Sequence, residues 1–315
     1  MAKREGTLAK MSVPKLLVVG GSGFIGHHVV RRGLELGWEV VSLGLNAPAP
    51  GRVHSAARYV TADLIQPGSV EALGDKHFDY VVNLGGYIDH TLFGNGGARL
   101  IRAHFNGLLT LLEYLDRRFV QRFVQIGSSD EYGNGPAPQR EHQREQAISP
   151  YSLGKVAATH FLQMLHRTEG FPAVTLRLFL TYGPGQDRQR FVPQVIGGCL
   201  EGREFPVSAG EQLRDFCYID DTVTGIFRSL EVDAACGAVM NIASGEPKSI
   251  RAMIERIVAL VGAGRPQFGR LPYRPGESMN LVADISEAKR ILGWQPLVGM
   301  DDGLRRTIDW MKASG

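Results

Sequence analysis

Tyr151 and Lys155, in Tyr151-Ser-Leu-Gly-Lys155, stand just over one helical turn apart. On a helix their phenol and ammonium project from the same face. A free phenol titrates near ~10, and a fixed cation beside it favours the phenolate, drawing it toward the working range of an acid/base catalyst. The same spacing also occurs on solvated helix faces, so the neighbouring elements decide its meaning.

Those elements begin with Lys15-Leu-Leu-Val-Val19, a short apolar run that ends in Gly20-Gly-Ser-Gly23-Phe24-Ile25-Gly26. Helical spacing of Val29, Val30, Gly33 and Leu34 follows, which reads as strand, glycine turn and helix. Glycines there let backbone N–H groups approach a pyrophosphate at the positive end of the helix, and Gly26 permits close packing of helix on strand. Further strands are expected at 38–43, 57–61, 80–84 and 122–126, with a helix over 100–114. The pattern is that of a doubly wound α/β sheet, a Rossmann fold, with a smaller C-terminal α/β substrate-binding lobe. Residues 1–13 read as a flexible leader, 14–175 as the dinucleotide-binding domain and 176–315 mostly as the second lobe. Ligands in such sheets lie at the carboxyl ends of the strands, so Gly20, Gly44, Asp63, Leu84 and Gly127 should ring one crevice. Asp63, followed by Leu64, could receive the adenine amino group or cap the following turn.

Composition narrows the class. The 315 residues carry 43% hydrophobic and 21% charged residues, an ordinary soluble chain. Thirty-five Lys+Arg against 32 Asp+Glu leave +3 with no basic patch, so no nucleic-acid partner is expected. No membrane span is legible, and Cys199, Cys217 and Cys236 are too widely spaced for a disulfide framework or a metal site. A cytoplasmic location is expected. At the end of the second strand, where a ribose-reading Asp or Glu is common, the chain has Leu43-Gly44-Leu45-Asn46. With Arg31, Arg32 and Arg52 nearby, and Arg32 preferred, the cofactor is NAD or NADP with a lean to NADP.

The glycine turn and the Tyr/Lys pair together resemble an extended short-chain dehydrogenase/reductase of the nucleotide-sugar epimerase/dehydratase family. So do Arg122-Phe-Val-Gln-Ile-Gly-Ser128-Ser129-Asp130-Glu131-Tyr132-Gly133, Leu176-Arg177-Leu-Phe179, Tyr182-Gly-Pro-Gly185 and Arg214-Asp-Phe-Cys-Tyr-Ile-Asp220-Asp221. Asn241-Ile-Ala-Ser-Gly245, Arg274-Pro-Gly-Glu277 and Ala283 to Pro296 complete the series. The resemblance implies Ser128, Tyr151 and Lys155 as catalytic residues. Cofactor contacts are expected from Gly20, Gly23, Phe24, Ile25, Gly26, Arg32, Gly44, Asp63, Leu64, Leu84, Gly85, Tyr151 and Lys155. Ser128, Ser129, Asp130, Phe179, Arg214 and Arg274 would face a nucleotide sugar, the two arginines at its diphosphate.

The implied reaction is 4-keto reduction or 4-epimerisation of a nucleotide-linked hexose. In it Tyr151 moves the proton, Lys155 holds Tyr151 toward the phenolate and Ser128 binds the reacting oxygen. Dehydration needs an adjacent Asp-Glu pair after the hydroxyl; it survives as an alternative only if a one-residue shift makes Asp130-Glu131 that pair and Ser129 the hydroxyl. A non-catalytic dinucleotide-binding regulator is the remaining alternative. Leu180 and His104 stand where the family often has Asn; His104 could relay protons or simply pack. Homodimerisation is implied through the helices at 100–114 and 151–167, whose apolar stripe includes Leu108, Leu111, Leu112, Leu115, Val156, Phe161 and Leu165; packing within the chain explains the same stripe.

Overall fold

The computed structural model describes residues 13–273 and 276–314. Arg274 and residues 1–12 of the expected leader lie outside the described residues. Six strands come first: β1 (Lys15–Val19), β2 (Glu39–Gly44), β3 (Arg58–Thr61), β4 (Tyr80–Asn83), β5 (Arg122–Ser128) and β6 (Ala173–Leu178). The later strand Val239–Ile242 joins them in one parallel sheet, ordered Val239–Ile242, β6, β5, β4, β1, β2, β3. In β1, Leu16 and Val18 enter one hydrophobic cluster and Leu17 and Val19 the other. A strand whose successive side chains face opposite sides must be apolar throughout when both faces are covered, as this run is. Chain order reverses at β1, between β2 and β4, which opens the crevice at the carboxyl ends there.

The helix Phe24–Glu35 leaves the glycine turn directly. A side chain at Gly26 would place its Cβ 2.1 Å from the Gly20 carbonyl oxygen and 2.7 Å from the Gly21 Cα, so only glycine lets the helix start against the turn. The expected helix at 100–114 is present but not uniform: α-helix Ala98–Ile101 passes through a π-helical turn, Arg102–Asn106, before α-helix Gly107–Tyr114. The helix that carries Tyr151 runs Pro150–Glu169. Ser149 and Ser152 cap its start reciprocally, Pro150 occupies its first turn, and Gly170 ends it at φ 66°.

Beyond β6, short strands Leu180–Tyr182 and Phe216–Tyr218 pair in parallel, and Leu213–Arg214 lies between Lys248–Ser249 and Asn280–Leu281. Asp221 ties the C-terminal segment down by accepting from the backbone N–H groups of Leu297 (2.9 Å) and Val298 (3.0 Å). The apolar stripe read as a dimer surface is largely spent inside the chain: Leu108, Leu111, Leu112, Leu115 and Leu165 are buried in one cluster against the sheet. Among the described residues no helix is long and apolar enough to cross a membrane.

Gly26→Ala should lower stability in urea unfolding by about 1–3 kcal/mol, because the new methyl meets backbone that cannot step aside. Gly197→Ala is the control. It lies in the helix Phe191–Leu200 with open space around its Cβ position, and should leave stability unchanged or raise it by up to about 1 kcal/mol.

Candidate active site

The glycine turn is stitched between strand ends. Gly20, at φ 80°, donates to Leu43 O (2.6 Å), and Leu84 donates to Val19 O (2.9 Å). Gly23 caps the following helix without a side-chain bond, and no acidic residue occupies its first turn. Bare N–H groups and an uncountered dipole therefore face the crevice, the chemistry a pyrophosphate requires. Gly85 is held by the Asn83 side chain (3.0 Å), itself bonded to Gln125 (2.8 Å). Gly44 ends β2, where a Cβ would stand 2.8 Å from the Ser22 hydroxyl. These residues fit a dinucleotide.

Two expectations at the ribose end change. Arg32 sits about 12 Å along the helix from its first residue, exposed and 3.4 Å from Glu35, with which it pairs. Its reach is spent on the solvent face. Arg52 is the arginine at the glycine turn, donating to the carbonyls of Ser22 (3.2 Å) and Gly185 (2.8 Å). Asp63 caps its own turn, accepting from Ile65 N–H at 3.1 Å, and Leu64 packs at the edge of a core cluster.

Ser128, Tyr151 and Lys155 come together at the carboxyl end of β5. The Tyr151 phenol is buried beside the Ser128 hydroxyl. Burial raises its pKa first and the Asp130 carboxylate second, while the Ser128 hydroxyl draws it back. The Lys155 ammonium lies 6.0 Å from the Tyr151 ring centroid and donates to the Ile126 carbonyl at 2.8 Å. Burial pushes Lys155 down to about 8, with Glu131 acting against it.

Glu131 bears on the two readings of the segment Ser128–Glu131. Its carboxylate accepts from Ser128 N–H (2.9 Å), Thr159 Oγ1 (2.9 Å) and Arg177 Nε (2.9 Å), with no exposed surface. Both oxygens are committed, and Ser129, the hydroxyl of the shifted register, is buried. Asp130-Glu131 is therefore not a pair of free carboxylates facing a ligand. Sequence reasoning missed this role although its signal was present, because Ser128-x-x-Glu131 is capping-box spacing, and both capping bonds form.

On the opposite wall, Arg214 pairs with Glu277 at 3.0 Å and interacts electrostatically with Asp130. Asp130 also stands 3.9 Å from His90 Nε2. His90, on the loop after β4, points its ring edge-to-face at Tyr151 with centroids 5.9 Å apart; nothing in its sequence context singles it out. Phe179, expected beside the substrate, is instead packed in a small cluster with Tyr132, Ala243, Leu281, Ala283 and Ile285. Phe179 directly follows β6 and is buried in that cluster.

Glu131→Gln removes a counter-charge from the fully buried Arg177 and should cost about 3 kcal/mol in urea unfolding. Lost turnover with an unchanged unfolding midpoint would instead mark Glu131 as a group acting on substrate.

Comparison with known proteins gives the family and the fold. Residues 16–243 match the family described as "NAD dependent epimerase/dehydratase family". A dTDP-glucose 4,6-dehydratase of Xanthomonas campestris pv. campestris is 28% identical over 325 residues, covering 93% of this chain and 92% of that protein. Among solved structures, the UDP-glucose 4-epimerase of Thermotoga maritima superposes with a TM-score of 0.88 at 26% identity, covering 95% of this chain and 99% of that one. The UDP-glucuronic acid 4-epimerase of Bacillus cereus, in complex with UDP-glucuronic acid and NAD, gives 0.84 at 28% identity, covering 96% and 100%. The earlier lean to NADP finds no support, since Arg32 faces solvent and the matched family is described by NAD. The chain, with its seven-stranded Rossmann sheet, belongs to the NAD-dependent epimerase/dehydratase family of extended short-chain dehydrogenases/reductases.

Proposed function

We propose that this protein interconverts the C4 epimers of a nucleoside diphosphate hexose, with NAD held at the glycine turn. The observation that carries the reading is the contrast at the end of β5. Ser128, Tyr151 and Lys155 are assembled around one point, while Glu131, the residue dehydration would need, is locked to Arg177. Bound NAD supplies reversible oxidation of the sugar C4 carbinol to a ketone and back. Tyr151 takes the C4 hydroxyl proton and returns it to the ketone oxygen, and Ser128 holds that oxygen by hydrogen bonding. The positive charge of Lys155 favours the deprotonated form of Tyr151 as the proton moves. Arg214 faces the diphosphate, with Glu277 fixing its guanidinium. Asp130 and His90 line the sugar side above Tyr151. Reduction of a free 4-keto sugar is the weaker reading, because it leaned on NADPH.

Incubation with NAD and, in turn, UDP-glucose, UDP-glucuronic acid and dTDP-glucose should give a C4 epimer from at least one, resolved by NMR. A 4-keto-6-deoxy product, or no product from any of them, would overturn the proposal. Tyr151→Phe should lower kcat by about 10²–10⁴ with NAD affinity unchanged.

We also propose a homodimer through the outer face of the helix Pro150–Glu169, where Leu153 and Met164 remain exposed (49% and 37%). Leu153→Asp/Met164→Asp should yield a monomer by light scattering; an unaltered mass would exclude this face.

A further inference from the structure

Asp130 and His90 stand beside the assembled hydroxyl and phenol with their hydrogen-bonding capacity unspent. Asp130 follows Ser128 by two residues, and its N–H donates to the Ser128 hydroxyl oxygen at 3.1 Å. Its carboxylate accepts no hydrogen bond among the described residues, and 32% of the side chain is exposed. The charged partner nearest to it is His90 Nε2 at 3.9 Å, too far for a direct hydrogen bond. His90 is half-exposed and lies edge-to-face on Tyr151 with centroids 5.9 Å apart. Its neighbour Asp89 is spent elsewhere, accepting from Thr91 Oγ1 (2.6 Å) and Arg99 (2.9 Å), so the loop after β4 offers the imidazole alone. Arg214 acts on Asp130 from the opposite wall while Glu277 holds its guanidinium at 3.0 Å.

Side chains beside the point where Tyr151 and Ser128 meet the reacting oxygen face the substituents of the carbons that flank C4. A hydroxyl there donates to Asp130 and exchanges a hydrogen bond with His90, which satisfies all three groups. A carboxylate there cannot donate, and it brings a second negative charge into an enclosure that is already negative. The charges acting on Tyr151 are, in order, Asp130, Glu131 and, opposing them, Arg190. We propose that Asp130 and His90 are specificity-determining residues, which admit a hexose with neutral hydroxyls beside C4 and disfavour a uronic acid, whose carboxylate carbon is bonded to C5. A bound uronate either stands against the Asp130 charge or forces that group to take up a proton, and both weaken binding. Burial raises the Asp130 pKa; His90 and then Arg214 favour its charged form, and Glu131 opposes it. Protonation of Asp130 relieves the uronate, so the penalty shrinks as pH falls.

This selection rests on the proposed epimerase reading only for which sugar carbon meets Tyr151, and its test is one of binding, which needs no turnover. Calorimetric titration of the full chain with NAD bound, at about pH 8, should find UDP-glucose held more tightly than UDP-glucuronic acid by about 10-fold or more. The same comparison between dTDP-glucose and dTDP-glucuronic acid covers a site that reads thymidine. Equal or tighter binding of the uronic acid, or binding of none of the four, overturns the proposal. The gap should narrow at about pH 6 through tighter binding of the uronic acid, and a gap that widens there also overturns it. Asp130→Asn, which keeps the shape and removes the charge, should cut the gap to about 3-fold or less; an undiminished gap in a folded variant overturns it. Should that variant fail to fold, His90→Ala decides: loss of the imidazole should widen the gap, and an unchanged or narrower one overturns the proposal. Discrimination in binding without epimerisation of any substrate defeats the epimerase reading and leaves this one standing.

Discussion

Arg177 has no exposed surface, and a guanidinium in that position must be matched or it costs several kcal/mol. Glu131 and Glu145 match it at 2.9 and 2.5 Å, and the Tyr132 ring lies 4.6 Å from its guanidinium carbon. Tyr132 in turn donates to Asn241 at 2.7 Å, on the last strand of the sheet. The neutralisation of one core cation thus orients a whole neighbourhood. Glu131 grips Ser128 N–H with one oxygen and Thr159, on the catalytic helix, with the other. Strand β5, strand β6 and the helix Pro150–Glu169 meet at this carboxylate. The positions of the hydroxyl and the phenol relative to one another are consequences of it.

Much of this arrangement was legible in the residues. The first strand is a nearly continuous apolar run, the glycine turn has its own spacing, and Tyr151 to Lys155 lies where a helix begins with Ser149-Pro150. What escaped the sequence depends on distance across the fold. Arg32 was preferred to Arg52 for its place on the first helix, yet helix geometry turns Arg32 outward and a loop folds Arg52 back over Ser22. His90 lies on a loop whose path only the folded chain defines. The π-helical turn at Arg102–Asn106 has no periodic signature, since one added residue per turn looks like ordinary helix in sequence. Glu131 entered the sequence reading only in the shifted-register alternative, and its capping spacing to Ser128 went unread.

The Tyr151 and Lys155 pair also qualifies the spacing argument. Residues four apart share a helix face, but side chains follow their partners. Lys155 is drawn to Ile126 O, while Tyr151 lies against Ser128, His104 and His90. The two communicate through a shared enclosure rather than by contact. Burial disfavours charge on both, so proton transfer at the phenol depends on groups that compensate within that enclosure.

The strand Val239–Ile242 closes the sheet beside β6, although 60 residues of chain separate Leu178 from Val239. During synthesis, β6 therefore leaves the ribosome with its outer edge open and Tyr132, beside its buried arginine, lacking its acceptor Asn241. A nascent chain in that state offers an unpaired strand edge to its neighbours. The sheet of the nucleotide-binding half is thus completed only by a strand from the second half of the chain.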